Sequence, residues 1–188
     1  MNRSPGLAEG KVLLDAAGIK TKVQSLTQAI RREFGAQLSS LAIVGIQTRG
    51  AHLARRVAAQ LKKSAGQEIP VGILDITLYR DDVHAIAEQP EVKETDIPFE
   101  IDDRPIVLVD DVLFTGRTVR SAMNALIDYG RPRCIRLAAL VDRGHRELPI
   151  DADYTGLAVK TAKDDIIDLN LEEIDGEDSI RLRRGARE

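Results

Sequence analysis

Two adjacent carboxylates and a threonine–glycine turn stand close together in this chain. Asp110 and Asp111 follow the apolar run 106–109, and Thr115, Gly116, Arg117 and Thr118 come shortly after. The turn suits a phosphate. A helix start leaves backbone N–H groups unpaired and carries positive potential. Gly116 lets the backbone come close to a ligand, and Thr115 and Thr118 add hydroxyl donors. The aspartates repel that same phosphate. They need donors or a cation, which vicinal sugar hydroxyls or magnesium supply. A ribose 5-phosphate satisfies both ends.

Groups that must hold such a ligand need a rigid frame. The run 106–109 is rich in β-branched residues and apolar on both faces, which suits a strand inside a parallel sheet. Behind the turn, Val119, Ala122, Met123, Leu126 and Ile127 recur at helical spacing. Gly130 and Pro132 are placed to stop that helix. The unit reads strand, acidic pair, turn, helix. Other phosphate sites do not fit. There is no Gly-x-x-x-x-Gly-Lys-Ser/Thr loop, and no Gly-x-Gly-x-x-Gly follows a strand. A response-regulator receiver also puts acids at a strand end, but it has no use for Thr-Gly-Arg-Thr at the next helix. Loop decoration would explain the acids alone; the conjunction with the turn argues against it.

Composition sets the outer bounds. The chain has 188 residues, enough for one domain with a good core. Its hydrophobic content of 43% marks it as globular. No apolar run approaches the ~20 residues of a membrane span. Residues 1–11 lack an apolar signal region, so a cytoplasmic protein is expected. The single cysteine, Cys134, opens an apolar run and reads as a plain buried side chain. No His/Cys cluster has zinc spacing. With a net charge of −3, any RNA contact needs a local basic face.

Along the chain, Asp15 is a plausible cap for a first helix with the stripe Ile19, Val23, Leu26, Ile30 and Phe34. A strand over 41–46 runs into Gln47-Thr48-Arg49-Gly50, and a second helix carries Leu53, Val57 and Leu61, with Gly66 as its stop. Thr48 and Arg49 therefore lie where open α/β sheets bind ligands, and a guanidinium fork suits phosphate oxygens. Residues 71–79 alternate as a strand with one apolar face. From Arg80 to Arg104 no period persists and Pro90 and Pro98 interrupt, which reads as a lid or a disordered insertion. A buried strand over 134–141 enters Asp142-Arg143-Gly144-His145-Arg146. Short strands over 154–159, 166–174 and 179–183 follow, and the basic stretch 181–187 is expected to fray. The order predicts an α/β fold: a mainly parallel sheet flanked by helices, with a small β addition.

The stretch from Ile106 to Thr118 resembles the phosphoribosyl pyrophosphate (PRPP) loop of type I phosphoribosyltransferases. Asp-Ile-Thr-Leu-Tyr-Arg-Asp-Asp and Asp-Arg-Gly-His-Arg-Glu-Leu-Pro-Ile narrow the likeness to the pyrimidine operon attenuator and uracil phosphoribosyltransferase family, from about Leu14 into the last strands. The resemblance implies one domain over 1–188, with a flap at about 80–104 and a β hood. It implies that uracil and PRPP give uridine 5′-monophosphate (UMP) and pyrophosphate. Asp110 and Asp111 would hold the ribose, and the turn at Thr115, Gly116, Arg117 and Thr118 the 5′-phosphate. Thr48, Arg49 and Gly50 would form the pyrophosphate loop, with Arg80 arriving on the flap. Val141, Asp142 and Arg143 would read uracil. Magnesium would come with PRPP, with no metal ligands assigned to the protein itself, and a homodimer or higher homo-oligomer is expected.

The same resemblance implies binding of pyrimidine operon leader RNA, with UMP or UTP as corepressor. The first helix weakens a basic face there, because Gln24, Ser25, Gln28 and Glu33 stand beside Lys20, Lys22, Arg31 and Arg32. Arg131, Arg133, Arg136, Arg143 and Arg146 then carry the RNA face, with His145 a surface or RNA-facing residue or, alternatively, a general base. An enzyme without RNA control, and a transferase for another base, stay open as alternatives.

Overall fold

Strands that are apolar on both faces demand cover on both sides, and this chain supplies it. The computed structural model describes residues 10–81 and 93–185. Strand β1 (Lys11–Leu14) leads into helix α1 (Ala16–Phe34), and β2 (Ala42–Ile46) into α2 (Arg49–Ala65) and β3 (Val71–Leu74). Then come β4 (Pro105–Leu113), α3 (Arg117–Ile127), β5 (Cys134–Asp142) and β6 (Tyr154–Ala158). The chain closes with β7 (Ile166–Asn170), the short helix α4 (Glu172–Asp175) and β8 (Ser179–Arg183). The main sheet has the order β3-β2-β4-β5-β6 and is parallel throughout. A second, antiparallel sheet has the order β1-β8-β7 and forms a hood.

The two faces of the main sheet pack separately. On one, Ile19, Val23 and Ile30 of α1 and Leu53 and Val57 of α2 cover Ile43, Val107 and Val109. On the other, Val119, Ala122 and Leu126 of α3 cover Val44, Ile106 and Leu108. The Asp15 carboxylate caps α1, accepting from the Gly18 N–H at 2.8 Å. Gly66 ends α2 with a left-handed φ of 69°. Among the described residues no helix is long and apolar enough to cross a membrane.

Several boundaries differ from the sequence expectation, each for a local reason. β4 does not stop at the acids: it continues to Leu113, with Asp110 in register with Ala139 of β5. The expected strand over 71–79 ends at Leu74. The Asp75 carboxylate accepts from the Thr77 N–H and hydroxyl at 3.1 and 2.7 Å and turns the chain into a 3-10 turn, Thr77–Tyr79. β6 joins the main sheet instead of the β addition, and β1, unread in the sequence, completes the hood. The 166–174 stretch splits, because the Asp175 carboxylate accepts from the Leu171 N–H at 2.9 Å and starts α4. α3 ends at Ile127, which is 57% exposed and so leaves the apolar stripe. Cys134 is half-buried, not buried. Arg181 and Arg183 do not fray: they lie in β8 and pair with Glu177 and Asp168.

The flap expected at 80–104 is described only in part. Residues 82–92 lie outside the described residues. Beyond them, Asp96 pairs with Ile73, Ile97 and Phe99 pack on the second core, and Ile101 is buried. Ile97, Phe99 and Ile101 recur with a period of two, and that period matches their packing on the second core.

Candidate active site

β3 and β4 lie on opposite sides of β2. Such a switch in strand order opens a crevice beyond the carboxyl ends of the strands. A cavity of about 360 Å³ lies at the carboxyl end of β4 and is lined by Asp110, Phe114 and the whole turn from Thr115 to Thr118. Arg80, Asp81, Ser121 and Glu147 complete its wall. The structure thus brings Asp110, the turn and Arg80 around one space, while Asp111, Thr48, Arg49 and Gly50 are not part of its lining.

Asp110 is 4% exposed. Its Oδ1 accepts from the Asp111 N–H at 2.9 Å, while its buried Oδ2 has no hydrogen-bond partner among the described residues. Burial, and then the neighbouring Asp111 charge, push the Asp110 carboxyl well above its ordinary value of 3.8. A donor or a cation entering the cavity would relieve that penalty. Asp111 is half-exposed, and its Oδ1 accepts from the Val112 N–H at 2.8 Å. Among the described residues no group of three His, Cys, Asp or Glu is arranged to hold a metal. Two adjacent carboxylates nevertheless fit magnesium, which takes one or two from a protein and its other oxygens from substrate and water.

The turn is held from behind. The Thr115 carbonyl accepts from the Glu147 and Leu148 N–H groups at 2.9 and 3.2 Å. Gly116 has a φ of 91°, which favours glycine, and it starts α3 with no side-chain cap. The Arg117 side chain donates to Glu147 at 2.7 Å and to Asp81 at 2.6 Å, and Arg120 reaches Asp81 at 3.2 Å. The Glu147 and Asp81 carboxylates raise the Arg117 pKa, and Arg117 in turn lowers that of Glu147.

The start of α2 presses against β4. A Cβ on Gly50 would lie 2.5 Å from the Val109 carbonyl oxygen. The Arg49 guanidinium does not reach into the crevice but pairs with the Asp175 carboxylate of the hood at 2.9 and 3.1 Å. The Thr48 hydroxyl accepts from the Lys93 ammonium at 2.7 Å.

The segment after β5 is stapled to this site. The Arg143 N–H donates to the Leu113 carbonyl at 3.1 Å, and the Asp142 carbonyl accepts from Val159 at 2.8 Å. Val141 is buried within β5. The backbone groups expected to read a base are therefore largely occupied. The Arg143 side chain is buried, donates to the Ala162 and Lys163 carbonyls, and lies 4.0 Å over the Phe114 ring. His145 stands edge-on to that ring, with Nε2 2.7 Å from the Thr161 carbonyl oxygen. Arg146 donates to the Phe114 and Ile150 carbonyls and to Asp142.

The structure separates the residues expected to form one RNA face. Arg131 and Arg133 precede the nine-residue strand β5, while Arg143, His145 and Arg146 follow it. The two groups are separated by about 30 Å at a strand's rise per residue. Arg143 and Arg146 are also committed to protein carbonyls, and Arg136 to Glu33 at 2.8 Å. Phe114, Glu147, Asp175 and Lys93 were missed by sequence reasoning. Phe114 is an aromatic between two apolar residues and a turn and carries no motif; Glu147 reaches the cavity, and Asp175 and Lys93 reach Arg49 and Thr48, only through tertiary contacts.

The phosphoribosyl transferase domain family matches residues 10–173. Bifunctional protein PyrR of Deinococcus radiodurans is 55% identical over 155 residues, covering 82% of this chain and 84% of that protein. Its namesake in Thermus thermophilus is 57% identical over 148 residues, covering 78% and 82%. That of Ligilactobacillus salivarius is 49% identical over 177 residues, covering 93% and 98%. Among solved structures, the hypoxanthine phosphoribosyltransferase of Trypanosoma cruzi superposes with a TM-score of 0.70 at 14% identity, covering 94% of this chain and 97% of that one. That last likeness shows a shared fold.

The buried acid has a consequence for stability. A carboxyl whose folded pKa stands above its unfolded value binds extra proton in the native state, so stability falls as pH rises between the two values. Asp110→Asn is expected to melt a few degrees above the native chain at pH 7, with the gap closing as pH falls toward 3.8. Scanning calorimetry at neutral and acid pH checks this. A variant that melts at or below the native temperature at pH 7 contradicts it.

Proposed function

The chain belongs to the phosphoribosyl transferase domain family and, within it, to the bifunctional PyrR proteins; from that premise we propose that it transfers the phosphoribosyl group of PRPP to uracil and regulates pyrimidine genes through leader RNA. One observation carries the enzymatic half. Asp110, whose buried Oδ2 has no hydrogen-bond partner among the described residues, lines the same cavity as a glycine turn that opens a helix. That pairing of a donor-seeking acid with an anion-seeking turn matches a ribose 5-phosphate at both ends.

In this reading the turn Thr115, Gly116, Arg117 and Thr118 fixes the 5′-phosphate through backbone N–H groups and hydroxyls. Asp110 and Asp111 hold the ribose hydroxyls, so the reacting sugar carbon is kept still. As the bond to pyrophosphate breaks, the sugar gains oxocarbenium character and the leaving group gains charge. The loop at Thr48, Arg49 and Gly50, with Arg80, surrounds that leaving group. The Asp110–Asp111 pair would be the protein's carboxylates toward magnesium bound with PRPP, and that ion would neutralise part of the leaving group's charge. No nucleophilic side chain is required. The base lies beside Phe114, whose ring Arg143 and His145 hold in place; Val141 and Asp142 support that wall from β5.

The regulatory half needs a basic surface away from the stapled loop. A groove between α1 and α2 is lined by Lys20, Arg31 and Lys63 with Gln24, Gln28 and Gln60. The three cations are exposed and none belongs to the cavity. We place the RNA contact there, with UMP or UTP acting at the catalytic cavity as corepressor. Exposed Leu78, Ile127 and Tyr129 support the homodimer or higher oligomer that the family reading implies. A cytoplasmic location belongs to the same proposal.

A panel of bases with labelled PRPP and magnesium tests the enzyme. Uracil is expected to give UMP, with hypoxanthine and orotate far behind. Asp111→Asn should keep the fold and lose about 2–4 kcal/mol of transition-state stabilisation, the range for a preorganised polar contact at the reacting centre. Near-native kcat/KM in the folded variant would remove the acidic pair from the site. For the RNA, the double variant Lys20→Ala, Arg31→Ala should weaken leader binding and reduce the salt slope by about two, with uracil transfer unchanged. Undiminished binding in that variant would place the RNA elsewhere.

A further inference from the structure

The proposed site has a cation that sequence motifs do not reveal. Lys93 lies far from Thr48 in sequence, yet its ammonium donates to the Thr48 hydroxyl at 2.7 Å. Its backbone is not loosely held. The Lys93 N–H donates to Asp75 Oδ2 at 2.7 Å, and the Asp75 N–H donates to the Thr95 hydroxyl at 3.0 Å. Asp96 then exchanges two backbone hydrogen bonds with Ile73, at 2.7 and 2.9 Å. Residues 93–96 are thereby pinned beside the end of β3, and they present the ammonium to the loop before α2.

The neighbouring guanidinium is otherwise engaged. Arg49 forms a two-point pair with Asp175, itself held by the Leu171 N–H. The partner of Lys93 in that loop is a neutral hydroxyl, not a carboxylate. An ammonium has three donors, so one on Thr48 leaves two for anionic oxygens.

We propose that Lys93 is a catalytic residue that binds the pyrophosphate leaving group. This rests on the phosphoribosyl transfer proposed above. No bond to Lys93 forms or breaks. The ammonium keeps its protons and stabilises charge on the diphosphate oxygens as the sugar–oxygen bond lengthens.

Calorimetric titration of magnesium pyrophosphate into the native chain, Lys93→Ala and Lys93→Arg tests it. Loss of a hydrogen bond to a charged group should weaken pyrophosphate binding about ten- to a hundredfold in Lys93→Ala, and Lys93→Arg should recover most of it. UMP binding without pyrophosphate should stay as in the native chain. Melting curves guard against misfolding, and Lys93→Met, which keeps most of the apolar stem, replaces an unfolded alanine variant. Native pyrophosphate affinity in Lys93→Ala, or an equal loss of UMP affinity, overturns the proposal. If pyrophosphate binding falls as expected but uracil is not a substrate, Lys93 stands and the base assignment fails. A native chain that does not bind magnesium pyrophosphate removes both.

Discussion

A carboxyl buried without a full set of partners is costly, and this fold is organised to keep one in place. Asp110 sits inside the paired length of β4 and β5, and its second oxygen has no partner among the described residues. Backbone pairing on both sides of the acid, from Pro105 to Leu113 on β4, holds it there. The packing of α2 on β4, close enough that a Cβ on Gly50 would strike the Val109 carbonyl, denies it room to turn away. In the proposed function that local cost is what readies the site for donors that arrive with a ligand.

The charges around the cavity show the same preparation from the other side. Arg117 is engaged by Asp81 and Glu147, and Arg49 by Asp175. These pairs are partly exposed and add little to stability. They matter because they hold long side chains near the cavity in defined positions. In the proposed function a phosphorylated ligand would meet backbone groups of the turn, and these side chains would exchange protein carboxylates for ligand oxygens. The hood meets the loop through one such contact, since Asp175 of α4 accepts from both the Leu171 N–H and Arg49.

Sequence reading recovered what short-range physics controls. The stripe from Ile19 to Phe34, the Asp15 cap, and the strand–turn–helix unit around Asp110 all follow from local periodicity and turn chemistry, and all are present. The failures lie where distant groups decide. Asp75 bends 71–79 out of its strand, and the alternation of Ile97, Phe99 and Ile101 was hidden in a charged loop. The arginines grouped as one RNA face sit at opposite ends of β5, because closeness in sequence does not mean closeness along an extended strand. Lys93 and Phe114 acquire their places only through contacts across the sheet.

The central claim is that the turn beginning at Thr115 receives the phosphate of a ribose 5-phosphate whose sugar meets Asp110 and Asp111. Backbone amide exchange, followed with and without saturating ribose 5-phosphate, tests it most directly. Exchange should slow at Gly116, Arg117 and Thr118 and stay unchanged at Arg131 and Arg133, on the far side of β5. No slowing at the turn, or slowing confined to the basic groove between α1 and α2, would contradict it.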